Sequence, residues 1–152
     1  MISKYELFST SVSCLYRDIQ RIERNEMAKF GLKGPHAQCL LAMSRYPEGV
    51  TASRLCEICE KDKAAVSRTV AELEELGLLV RSERNGVRYR ALLTLTDRGY
   101  RVARAVNEKA SQAVARAGMG LNDAQREVFY SVLAHIADNL HAICRNGLET
   151  TD

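Results

Sequence analysis

The side chains Ala64, Ser67, Arg68 and Ala71 recur at steps of three, one and three residues. A helix turning about 100 degrees per residue gathers them on one face, away from Val66, Val70 and Leu73. That face is small, polar and basic, and its chemistry is recognition rather than bond breaking. Small residues let a helix axis approach a DNA major groove, and one arginine can make a bidentate contact to guanine. Lys63, in the first turn, is placed to meet a phosphate, and Thr51 and Ser53, at the start of the preceding short helix, are further expected DNA contacts. Glu72, Glu74 and Glu75 crowd the far end, which this docking mode turns away from the bases. Taken alone, the same pattern also describes an amphipathic helix with a solvated outer face.

A second basic element follows. Residues 81–90 hold four arginines against one acid, and Asn85-Gly86 is the strongest short-range signal for a two-residue hairpin turn. Arg84, Asn85, Arg88 and Arg90 are therefore expected on a projecting hairpin, where arginines suit the phosphate backbone or the negative potential of a minor groove. Without the helices before it, the hairpin reads equally well as a solvated edge guarded by charge. The net charge of +3 neither demands nor excludes nucleic acid, so the placement of the charges carries the information.

Competing chemistries are weaker. Cys56-x-x-Cys59 has no second closely spaced pair to complete a four-ligand zinc site, and both cysteines are expected to be buried structural thiols on a helix. Cys14 and Cys144 leave oxidant sensing as an alternative. His36, His135 and His141 lack the spacing of three or four that ligands on one helix face need, and are expected on the surface or at an interface. Tyr5, Tyr16 and Tyr46 are expected in the core rather than around an effector. No phosphate-binding Gly-rich loop, nucleophile elbow or metal-ligand motif occurs, so no enzyme, cofactor or metal is expected. Five cysteines, odd in number and scattered through helical patterns, point to a reducing compartment. The N-terminus carries no apolar signal core, and the expected location is cytoplasmic.

The elements that must position these residues follow from periodicity and caps. Phe8, Val12, Leu15, Ile19 and Ile22 alternate steps of four and three in a helix running towards Gly31. At about 1.5 Å per residue it spans roughly 40 Å, more than a small module needs to cover its own core. Gly34-Pro35 resets the chain, and a second helix is expected over 37–46, ended by Pro47. Thr51 and Asp62 can cap the next two helices, and Gly77 closes the second of them. Strands over 80–84 and 87–95 flank the hairpin turn. Thr96 can then cap a helix reaching about residue 117, where Gly118 and Gly120 break it. Asn122 and Gln125 form a capping-box pattern for a last helix with the stripe Phe129, Leu133, Ile136 and Leu140. This stripe and Phe8, Val12 and Leu15 expose more apolar surface than one small winged module can cover, and are expected at a homodimer interface.

The runs Leu55-Cys56-Glu57-Ile58-Cys59, Asp62 to Val70, Leu73-Glu74-Glu75-Leu76-Gly77-Leu78-Leu79 and Leu95-Thr96-Asp97-Arg98-Gly99 resemble the MarR family of transcriptional regulators over nearly the whole chain. The most specific part is the ordered set of recognition helix, Leu-x-x-x-Gly-Leu exit, wing and Leu-Thr-x-x-Gly opening of a long helix. The resemblance implies a mainly α (α+β) winged helix-turn-helix in a single domain over 1–152. Residues 1–31 and 97–147 would be dimerisation helices, and 34–96 the winged module. It further implies a homodimer reading a pseudo-palindromic operator in double-stranded DNA as an effector-responsive repressor, with a small-molecule effector held between modules and interface. One departure stands out: the Asp-x-Arg pair of many members is replaced by Gly86-Val87-Arg88-Tyr89-Arg90, which leaves open which arginine enters a minor groove. A winged-helix module used only for protein contacts is the alternative of a different class.

Overall fold

The computed structural model describes residues 2–82 and 91–148. Along them run α1 (Lys4–Ala28), α2 (Gly34–Met43), α3 (Ala52–Cys59), α4 (Lys63–Glu75), β1 (Leu79–Ser82), β2 (Leu92–Leu95), α5 (Asp97–Ala117) and α6 (Asp123–Asn146). The fold is mainly helical with a small antiparallel sheet, in the order expected of a winged helix-turn-helix.

Side chains that satisfy the free N–H groups of a first turn set most helix starts. Ser3 Oγ accepts from the Glu6 N–H at 3.0 Å while Glu6 accepts from the Ser3 N–H at 2.7 Å. Thr51 and Asp62 cap α3 and α4 through the N–H groups of Arg54 and Ala65. Asn122 and Gln125 form a reciprocal box at α6. The second helix departs from expectation, beginning at Gly34 and closing at Met43. Pro35 belongs to its first turn, where a missing N–H costs nothing. Its exit is set before Pro47, because Ser44 Oγ donates to the Leu41 carbonyl and the chain turns through Gly49 at φ +100°.

The chain divides into two compact units between Gln112 and Ala113, within α5. The first holds the hydrophobic core: Met27 of α1, Leu40 and Met43 of α2, Leu55 of α3, Val70 and Leu73 of α4, Leu78, Leu79 and Leu93 of the hairpin, and Val106 of α5. The strands pair in the register Leu79↔Leu95 to Ser82↔Leu92, the expected strand residues within 83–90 lie outside the described residues, and β2 also bridges to Val50 just before α3. Mutual N–H···O bonds of 3.0 and 2.8 Å between Val50 and Leu93 thus tie the hairpin to the start of the helix-turn-helix. In the second unit Arg126 donates to the carbonyls of Gly118 and Leu121, bracing the turn before α6. No residue of α6 is buried.

Candidate nucleic-acid interface

The orientation of α4 follows from its buried side. Val66, Val70 and Leu73 are at most 4% exposed, and Lys63, Ala64, Ser67, Arg68 and Ala71 are all exposed. One face is therefore fixed to the core, and the small, basic face is left to solvent. On α3, Ser53 is exposed and Thr51 half-buried, its hydroxyl engaged as the cap. Arg54 beside them pairs with Glu57 at 2.7 Å. Arg84, Asn85, Arg88 and Arg90 lie outside the described residues.

The exit of α4 is locked by the segment that opens α5. Thr96 Oγ1 donates to the Gly77 carbonyl at 2.7 Å, the Thr96 N–H to Leu78 at 3.0 Å and Arg98 Nη1 to Leu76 at 2.9 Å. Gly99 is pressed so close that an added Cβ would sit 2.1 Å from the Leu78 oxygen. Arg81 of β1 pairs with Glu74 of α4 at 2.9 Å. The Leu-x-x-x-Gly-Leu and Leu-Thr-x-x-Gly motifs are thus two halves of one joint.

Two expectations are corrected. His36 is buried, not at the surface, because both of its nitrogens are satisfied inside: Nδ1 accepts from the Lys33 N–H at 3.1 Å and Nε2 faces Glu72 Oε2 at 2.5 Å. Of the three tyrosines only Tyr46 packs on the core, and Tyr5 and Tyr16 are exposed on α1, on the part of the helix that precedes its buried end at Met27. Cys59 is buried and Cys56 half-buried. Burial, and then the neighbouring Cys59, pushes the Cys39 thiol up to about 12, and burial raises Cys59 as well. Cys14 and Cys144 are exposed, and Arg17 donates to Cys14 Sγ at 3.2 Å. Among the described residues no group of three His, Cys, Asp or Glu side chains could hold a metal ion, and no helix is long and apolar enough to cross a membrane.

Of the stripes expected at an interface, Phe8, Val12 and Leu15 on α1 and Phe129, Leu133 and Leu140 on α6 are 40–57% exposed, and Ile136 is half-buried.

No curated protein matches the sequence. Residues 30–88 match the model of the MarR family. Over most of its length the chain is similar in structure to a MarR transcriptional regulator from Methanosarcina mazei Go1, with 20% identity and TM-score 0.78, covering 93% of this chain and 94% of that one. The fold is that of the MarR family. A MarR-family regulator from Silicibacter pomeroyi matches with 19% identity and TM-score 0.74 over 91% of this chain and 92% of its own. A protein from Listeria monocytogenes, described as a MarR-family transcriptional regulator and solved in complex with 26mer DNA, matches with 18% identity and TM-score 0.73, over 94% and 97%. In the MarR fold of this chain, residues 30–88 span α2 to the hairpin, the stretch that holds every expected DNA contact but Arg90. The pairing of His36 with Glu72 and the bridge of Val50 to Leu93 were missed by sequence reasoning. Neither leaves a periodic signal, since their partners lie 36 and 43 residues apart.

Proposed function

We propose that this chain is a sequence-specific DNA-binding transcriptional regulator of the MarR type, acting in the cytoplasm as a homodimer on a pseudo-palindromic operator. The observation that carries the reading is the exposed face of Ala64, Ser67, Arg68 and Ala71, opposite a fixed apolar face on a helix whose start and exit are both locked. In this reading Arg68 reads a base edge in the major groove, Lys63 anchors a phosphate, and Thr51 and Ser53 approach the backbone from α3. Arg84, Asn85, Arg88 and Arg90 form the wing contacts. The Listeria protein solved with DNA supports the use of this fold on a duplex.

Dimerisation through α1 and α6 is supported by their exposed apolar stripes, which a soluble monomer rarely leaves uncovered. Repression relieved by a small effector is the regulatory mode proposed. A groove of about 480 Å³ lined by Ser44, Tyr100, Arg104, Asn107 and Glu108 is the place for such a molecule.

The test is anisotropy titration of the full chain on a duplex selected from a randomised pool and on its scrambled counterpart, at several salt concentrations. A specific site should bind about a thousandfold or more tighter than the scrambled one, with affinity falling steeply as salt rises. Absence of salt-dependent binding to either duplex would favour a module used for protein contacts.

A further inference from the structure

His36 stands in the first turn of α2 with 7% of its side chain exposed, and both ring nitrogens are engaged. The Lys33 N–H donates to Nδ1, so that nitrogen carries no proton and the N–H of the neutral ring is at Nε2. From there it donates to the Glu72 carboxylate at 2.5 Å, a bond that joins α2 to α4 across 36 residues. Glu72 lies four residues after Arg68, close enough on a helix surface for the two side chains to meet. Its carboxyl is held below the ordinary range, first by the bond from His36 and then, against desolvation, by the charges of Lys33 and Arg68.

We propose that His36 and Glu72 are a positioning pair for base reading: the buried imidazole fixes the roll of α4 through Glu72, and with it the aim of Arg68. The inference rests on the reading of Arg68 as the base-contacting residue. Val66, Val70 and Leu73 supply non-directional contacts that tolerate small rotations of the helix about its axis. A hydrogen bond from a ring anchored at its other nitrogen does not tolerate them, because its strength falls steeply with angle.

The experiment measures the specificity ratio, selected against scrambled duplex, for full-length wild type, Glu72→Ala, Glu72→Gln, Arg68→Ala and the Glu72→Ala/Arg68→Ala double variant. Glu72→Ala should lower the ratio about threefold or more, Glu72→Gln should restore it by keeping an acceptor for Nε2–H, and the double variant should lose no more than Arg68→Ala alone. A lowered Tm with an unchanged ratio, or losses that add in the double variant, would overturn the pairing while leaving Arg68 as the base reader. An undiminished ratio in Arg68→Ala would instead overturn the base-reading assignment and this inference with it. Independently of any variant, the nitrogen chemical shifts of His36 should show the neutral Nε2–H tautomer, and the Nδ1–H tautomer would contradict the geometry.

Discussion

At the scale of single residues, base reading and phosphate anchoring are separated by where each cation stands on α4. Arg68 lies mid-helix on the exposed face and Lys63 at its first position, so the two should respond differently to sequence and salt. Arg68→Ala should cost about 1–3 kcal/mol on a selected duplex and much less on a scrambled one. Lys63→Ala should weaken both about equally and lower the slope of log affinity against log salt by roughly one unit. Titrations on the two duplexes distinguish these outcomes, and equal weakening by Arg68→Ala would remove Arg68 from base reading. Cys39 offers a pH test. Its folded-state pKa is raised by burial to about 12, so its contribution to stability is complete below the thiol's unfolded value near 9 and is lost as pH rises towards 12. Cys39→Ala should therefore flatten the alkaline decline of Tm, and an unchanged decline would exclude Cys39 as its source. The exposed face of α4 and its caps were legible in the sequence because helical periodicity and local caps are short-range. The burial of His36 was not legible, because an isolated polar residue reads as surface until its partners are known.

At the scale of elements, the joint between the exit of α4 and the start of α5 decides whether the recognition helix is held. A Cβ on Gly99 would collide with the Leu78 carbonyl, which is backbone and cannot swing away. Gly99→Ala should therefore destabilise by about 1–3 kcal/mol or more and lower Tm, measured by circular dichroism. An unchanged Tm would mean that the two motifs do not form a joint. Asp62→Ala, which removes the cap on Ala65, should cost about 1 kcal/mol, and Asp62→Ser or Asp62→Asn should recover most of it. Sequence order gave the elements, since caps, breakers and periodicity agree at most boundaries. The ends of α2 shifted, with the Ser44 to Leu41 bond at its exit, and pairing to Val50 and β1 holds the described part of β2.

At the scale of the whole molecule, the proposed homodimer would cover the exposed stripes of α1 and α6. Leu133→Glu or Leu140→Glu should shift full-length protein towards monomer in sedimentation and weaken operator binding in parallel, because two half-sites then lose their linkage. A variant that remains dimeric would move the interface elsewhere. Periodicity showed that these stripes exist, but which surface covers each is a property of the assembly and carries no signal along one chain. A twofold reader of base sequence leaves its symmetry on the DNA it selects, so full-length protein is put to selection from a randomised duplex pool. The expected outcome is an enriched inverted repeat with half-site centres about one helical turn, roughly 10 base pairs, apart. A pool that stays random after repeated rounds, or that converges on a single unrepeated half-site, would contradict it.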